Sequence, residues 1–186
     1  NRLHPDTEAA FGRQTVLMLS SLKEYKGTRE FIELANRLPQ YKFVLVINDV
    51  QENIDSFLYK YNIFCSQNLI IYPRQNNVVP FYNEASIVIN LTDKKLAVET
   101  FGLTALEAMS AGLPVIVPTE GGIAEMVTDG ENGYKIDVQD LNKIVEYVHL
   151  LLSDQELYNK LSNNASAYSR NFNIDKMTES ILSLFD

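Results

Sequence analysis

The chain has no tryptophan, two histidines and a single cysteine, Cys65, among its 186 residues. One cysteine excludes an internal disulfide and fits a reducing compartment. Of the histidines, His4 lies in the opening stretch and His149 in a surface-helix pattern, so no Ser-His-Asp or Cys-His set is apparent. No aspartate-rich metal motif stands out either. Positive charge is also scarce. With 16 Lys+Arg against 24 Asp+Glu the net charge is −8, which argues against a nucleic-acid partner, because such a partner needs a basic face. A phosphate bound here is expected to be held by backbone amides and one or two cations. No apolar run approaches the ~20 residues that span a bilayer, and nothing resembles a signal peptide, so a cytoplasmic location is expected. The opening NRLHPDTEAAFGRQ is polar and lacks an initiator methionine. Residues 1–14 therefore read as an interdomain linker remnant from something longer.

What is present is an alternation of short apolar runs and helical patterns. The runs TVLMLS (15–20), KFVLVI (42–47), NLIIY (68–72), SIVIN (86–90), PVIV (114–117) and a short segment at 133–136 read as six strands. Helices are expected over 28–38, 51–61, 79–84, a stretch after Gly102, 141–152, 155–171 and 174–185. Strands that are apolar throughout, rather than alternating, imply a sheet covered on both faces. Together with the strand–helix alternation this predicts an α/β fold, a Rossmann-like doubly wound parallel sheet. Six of the eight glycines fall between Gly102 and Gly133, so the unusual loops are concentrated there. In doubly wound sheets ligands sit beyond the carboxyl ends of the strands. The loops at 91–101 and 119–123 belong to that edge, and the site is expected there.

The segment ETFGLTALEAMSAGLPVIVP sets Glu99 and Glu107 eight positions apart. On one helix that spacing is ~12 Å along the axis. Carboxylate pairs that hydrolyse a glycosidic bond stand ~5–9.5 Å apart on opposite sides of it, so a catalytic dyad fits poorly. A clamp fits better. If Gly102 opens a helix, the first-turn amides near Leu103 and Thr104 would suit a phosphate, and the two carboxylates would suit hydroxyls on either side. A ligand with hydroxyls at both ends of a diphosphate is a nucleotide sugar. The plainer alternative is a capping box, Thr104-Ala105-Leu106-Glu107, in which Glu107 bonds its own helix start.

The run ETFGLTALEAMSAGLPVIVPTEGGIAEMVTDGENGY resembles the signature of retaining glycosyltransferases of family 4, also called glycosyltransferase group 1. It combines E-x7-E, E-A-M-S-x-G-x-P-V-I, G-G-I-x-E and D-G-x-N-G-Y. Weaker similarity extends from LSSLKEYKGTREFIELA to FNIDKMTESILSLF. The resemblance is to the carboxyl-terminal, donor-binding half of a GT-B enzyme, which would occupy residues 15–186, with the amino-terminal acceptor domain absent.

The resemblance implies that Glu107 binds ribose and that Glu99 contacts the donor sugar. Gly102, Leu103 and Thr104 would offer amides to the diphosphate or the sugar. Lys26 would bind donor phosphate, and Tyr72 and Arg74 would lie where the nucleobase binds. Gly121 and Gly122 would form a tight turn beside the site, with Glu125 structural. The implied reaction is retaining transfer from a UDP- or GDP-linked sugar to an acceptor hydroxyl, on a glycan or a lipid-linked sugar, without a metal or other cofactor. A role in polysaccharide or glycoconjugate synthesis follows at family level, with peripheral attachment of the full-length protein to the inner membrane surface an option.

One position departs from the family pattern. Ser21 stands where an arginine commonly partners the lysine, so Lys23, Arg74, Lys94 or Lys95 would have to compensate. Two other readings stay open: a degenerate nucleotide-binding module, and a GT-B-like sugar-nucleotide epimerase.

Overall fold

The computed structural model describes residues 7–172. In chain order the elements are α1 (Thr7–Gly12), β1 (Thr15–Ser20), α2 (Thr28–Arg37), β2 (Lys42–Ile47), α3 (Gln51–Lys60), β3 (Leu69–Tyr72), α4 (Val79–Asn83), β4 (Ile87–Ile89), α5 (Leu103–Ser110), β5 (Val115–Val117), α6 (Gly122–Glu125), β6 (Gly133–Lys135), α7 (Leu141–Ser153) and α8 (Gln155–Ser169). Short 3₁₀ turns follow β1 (Glu24–Lys26) and α8 (Arg170–Phe172). The helix expected over 174–185 lies outside the described residues.

All six strands pair in parallel, in the order β3-β2-β1-β4-β5-β6. This is the doubly wound sheet that the apolar runs predict. Val16, Leu17 and Met18 of β1 and the whole of β4 and β5 are buried, as expected for strands covered on both faces. The outer strand β3 departs from that rule. Ile70 and Tyr72 are exposed, so only alternate residues of this edge strand face the core.

Helix α2 packs by its periodic stripe. Phe31, Ile32, Leu34 and Ala35 are buried, and Phe31 meets Phe43 of β2 edge-on at 5.3 Å. Burial of each large apolar side chain contributes about 1.5–3 kcal/mol. Asn68, just ahead of β3, closes the end of the unit by donating to the carbonyls of Ala35, Leu38 and Tyr41.

Residues 7–14 depart from the linker expectation. They carry helix α1, which lies against α8, with Ala10 buried and Phe11 tilted onto Tyr158 at 5.2 Å. A polar knot fixes it. Ser86 Oγ donates to Ala10 O (2.6 Å) and accepts from Thr15 N (2.9 Å), while Tyr158 OH donates to Ser86 O (2.7 Å). Gln14 Nε2 reaches Leu152 O at 3.0 Å. A single Ala-Ala-Phe run in a polar string is a weak pattern, and the fit of Ala10 and Phe11 becomes evident only once α8 is beside them.

Ser86→Ala tests this knot, because it orphans the buried Thr15 amide and leaves the Ala10 carbonyl with Arg13 N as donor. At roughly 1–3 kcal/mol for an unsatisfied buried group, urea unfolding is expected to show a loss in that range; a loss below about 1 kcal/mol would mean that the knot is dispensable.

Candidate functional site

The sheet order reverses direction between β1 and β4, which lie side by side in register Val16↔Ile87 and Leu17↔Val88. Connections leave these two strands on opposite faces, so a crevice opens beyond their carboxyl ends. Two loops border it, one after β1 ending in the 3₁₀ turn Glu24–Lys26 and one over residues 90–102 after β4. They are joined directly, since Asp93 N donates to Tyr25 O at 2.7 Å.

Lys26 and Glu99 meet across this crevice. Lys26 Nζ lies 2.5 Å from Glu99 Oε2, and the buried Thr92 donates its hydroxyl to the same oxygen at 3.2 Å. The two charged side chains are 26% and 22% exposed, so the pair is shielded yet open to solvent on one side. A cleft of about 470 Å³ adjoins it, lined by Ser20, Ser21, Lys26, Asn48, Gln75 and Thr104 among others. Three strand ends and the start of α5 thus contribute to one cavity. A second hollow of about 450 Å³, between α2 and the loop after α3, holds none of the residues singled out from the sequence.

Helix α5 begins at Leu103, directly after the buried Gly102. Leu103 N bonds Phe101 O at 3.0 Å, so this amide closes a turn and is not offered outward as the sequence suggested. Its side chain is exposed. Thr104 reaches the cleft. Glu107 lies one turn further on, and the capping-box alternative does not hold. No side chain caps this helix, and the carboxylate turns sideways, where Glu107 Oε2 accepts from Tyr82 OH at 2.6 Å. Burial, then the bond to Glu107 and its charge, push the Tyr82 phenol far above its ordinary value, so it stays a donor. Tyr82 was not singled out from the sequence. It lies 25 positions upstream of Glu107, and only the packing of α4 against α5 brings the two together.

Gly121 and Gly122 lie directly under the Glu99 loop. Gly121 has φ +96°, and a Cβ there would come within 2.4 Å of Glu99 O; a Cβ on Gly122 would come within 2.1 Å of Thr100 O. The pair lets the backbone of residues 99–100 rest on the start of α6, a four-residue helix where the sequence suggested only a turn. Glu125 closes that helix.

Lys94 braces the same loop from outside, reaching Thr119 Oγ1 (2.8 Å), Glu120 Oε1 (2.9 Å) and Asp137 Oδ2 (3.6 Å). The Glu120 bond chiefly, with Asp137 assisting, holds its ammonium above the usual lysine value. Gln139 adds a bond to Asp93 Oδ2 at 2.8 Å. Lys94 is therefore committed to bracing, which answers one of the four candidates to replace an arginine at Ser21. Lys23 borders a different, smaller hollow beside Phe57 and Tyr61. Arg74 is the candidate tied to the cleft. Its Nε donates to Asn48 Oδ1 at 2.8 Å, and Asn48 lines the cavity. Tyr72 sits two residues earlier on the edge strand, exposed and edge-on to Phe81 at 5.0 Å, and is not among the cleft residues.

The arrangement joins a cation, a carboxylate and a hydroxyl at a crevice, with a second carboxylate held one helical turn away. Such groups can hold hydroxyls and offset negative charge. Among the described residues no group of three or more His, Cys, Asp or Glu side chains is arranged around a common metal position, and no helix is long and apolar enough to cross a membrane.

Gly122→Ala probes the support of Glu99, because the added methyl faces backbone that cannot rotate away. Overpacking of this kind costs about 1–3 kcal/mol, so urea unfolding should show that loss and a crystal structure should show residues 99–100 displaced. Unchanged stability with an unmoved loop would overturn the account.

The family described as Glycosyl transferases group 1 matches residues 2–168. The chain is similar to an uncharacterized glycosyltransferase of Haemophilus influenzae, 28% identical over 186 residues, covering 96% of this chain and 51% of that protein. It thus spans about half the length of that relative. Among solved structures it is similar to the C-terminal domain of the glycosyl transferase group 1 family protein LpcC from Francisella tularensis, with a TM-score of 0.72 at 22% identity, covering 91% of this chain and 95% of that one. It is also similar to Anabaena Alr3699/HepE, solved with UDP and glucose, with a TM-score of 0.77 at 20% identity, covering 96% of this chain and 49% of that one. These structural likenesses speak for the fold. The family match runs through nearly all of that fold, crevice loops included, and on it the chain belongs to the group 1 glycosyltransferases.

Proposed function

We propose that this chain is the donor-binding half of a retaining, family 4 glycosyltransferase that takes its sugar from a UDP- or GDP-linked donor. The observation that carries the reading is the meeting of Lys26 and Glu99 beside a cleft at the point where the sheet reverses, with Glu107 held one turn inside α5. In this reading Glu107 accepts hydrogen bonds from ribose hydroxyls. Thr104, at the helix start, faces the diphosphate, where unbonded first-turn amides and the dipole favour negative charge.

Lys26 offsets the charge that grows on the departing diphosphate, and Glu99 accepts a hydroxyl of the transferred sugar. Because Lys26 is already paired, an incoming phosphate shares or displaces Glu99, which turns the carboxylate toward the sugar as the phosphate arrives. In this reading Asn48, which lines the cleft and accepts from Arg74, borders the nucleobase. Charge neutralisation by Lys26 and helix amides requires no metal.

The acceptor half would lie in the remainder of a longer protein. Support comes from the chain spanning half of the Haemophilus relative and from the similar extent of a structure described as a C-terminal domain. Synthesis of a polysaccharide or glycoconjugate at the cytoplasmic side is the corresponding biological setting.

A second reading, a degenerate nucleotide-binding module, is favoured by Ser21, which lines the cleft where a cation would strengthen the hold on a diphosphate.

Calorimetry with UDP-glucose, UDP-N-acetylglucosamine, GDP-mannose and ADP-glucose separates the two readings. One donor is expected to bind, and Glu107→Ala to weaken it about tenfold or more, near 1.4 kcal/mol per decade. Binding of none would favour the degenerate module, and equal binding by the variant would remove Glu107 from the site. Lys26→Ala should weaken donor binding by a similar factor while changing unfolding stability by less than about 1 kcal/mol, because the pair it breaks is partly exposed. The chain alone is expected to transfer no sugar, checked by release of nucleoside diphosphate in the presence of acceptor; robust transfer would show that no second half is required.

A further inference from the structure

Tyr82 is among the most deeply buried large side chains in the molecule, at 1% exposure, yet its one polar atom faces a carboxylate. A buried hydroxyl needs a partner, and a neutral one is nearby, since the Thr104 carbonyl lies 3.4 Å from the phenol oxygen. The oxygen instead stands 2.6 Å from Glu107 Oε2. A phenol has a single hydrogen to donate, and the short distance assigns it to the charged acceptor. No described residue bonds Glu107 Oε1. One oxygen is therefore anchored and the other has no partner among these residues, in a side chain that otherwise has three rotatable bonds.

From this we propose that Tyr82 is a positioning residue. By holding Oε2 it fixes the plane of the Glu107 carboxylate, so that Oε1 and the remaining lone pair of Oε2 are set in advance to receive a vicinal diol of the ligand. The inference rests on the reading of Glu107 as the ribose acid. It adds a residue from a different element, α4, to the determinants of that contact, and it names what the contact would discriminate: nucleotides that carry both ribose hydroxyls from those that lack them. Prior ordering of the carboxylate means that less conformational freedom is lost when the diol binds. Persistent protonation of the phenol suits the role, because an ionised Tyr82 would repel Glu107 instead of holding it.

Tyr82→Phe keeps the ring in the core and removes only the hydroxyl. The test measures the affinity of wild type, Tyr82→Phe, Glu107→Gln and the double variant for UDP and for 2′,3′-dideoxyuridine 5′-diphosphate, with GDP and its dideoxy analogue as a parallel pair. The two members of each pair differ only in the hydroxyls. Wild type is expected to prefer the ribonucleotide about tenfold or more, Glu107→Gln to abolish most of that preference, and Tyr82→Phe to cut it about threefold or more without weakening the dideoxy ligand. In the Glu107→Gln background the tyrosine change should have no further effect on the ratio.

Equal weakening of both ligands by Tyr82→Phe would overturn the proposal in favour of a purely structural tyrosine. A wild-type ratio in Tyr82→Phe, alongside a collapsed ratio in Glu107→Gln, would overturn it while leaving the ribose reading of Glu107 intact. No preference in wild type, a preference that survives Glu107→Gln, or no binding of either pair would instead reject the ribose reading and the proposal together.

Discussion

Everything at the crevice depends on the pairing of β1 with β4. These strands are separated by 66 residues of intervening chain (residues 21–86), yet they lie in adjacent positions at the centre of the sheet. Parallel strands need crossover connections, and the connection from β1 to β2 and the one from β4 to β5 run outward in opposite directions. The carboxyl ends of the central pair are therefore left without a helix above them. The two loops that leave them, with the 3₁₀ turn carrying Lys26 and the longer stretch carrying Glu99, have nowhere to go but toward each other. The ion pair between Lys26 and Glu99 is a consequence of strand order before it is a consequence of charge.

Holding Glu99 there takes support from several directions. From below, Gly121 and Gly122 let the backbone of residues 99–100 approach the start of α6 more closely than any side chain would allow. From outside, Lys94 ties the loop after β4 to the loops after β5 and β6. From within, Thr92 shares the oxygen that Lys26 uses. Glu107 has a parallel arrangement on the next element, with Tyr82 as its anchor. In both cases a carboxylate is oriented by a donor on a different segment of chain, and its other oxygen has no hydrogen-bond partner among the described residues. The cost of ordering a long side chain is then met largely by the fold, before any ligand arrives.

Charge is distributed sparingly. A chain with net charge −8 places a lysine at the crevice and pairs it with an acid, and Ser21 adds no second cation. Arg74 is coupled to the same cavity only through Asn48. An anion in this crevice would be met by helix amides and a shared lysine more than by a basic surface, in keeping with the scarcity of positive charge in the composition.

The strands, the principal helices and the segment around α5 were legible in the sequence because each is written in local periodicity or local chemistry. Continuous apolar runs mark strands buried on both faces; Phe31, Leu34 and Ala35 mark one face of α2; clustered glycines mark loops of close approach. The edge strand β3 broke the rule, since burial on both faces is a property of position in the sheet and not of the run itself. The short α1 escaped notice because its burial depends on α8, more than 140 residues away.

Partner choice is the information that no local pattern contains. By itself the sequence determined the α/β class, the loops at the carboxyl edge of the sheet, and Glu99, Glu107 and Lys26 as residues to watch. Only the tertiary structure decided that Lys26 bonds Glu99 across 73 positions, that Tyr82 and not the helix start holds Glu107, that Lys94 is a brace, and that the Leu103 amide is already used. The physical reason is that periodicity encodes which face of an element is buried, whereas side-chain bonds depend on which elements become neighbours, and that is set by the order of strands in the assembled sheet.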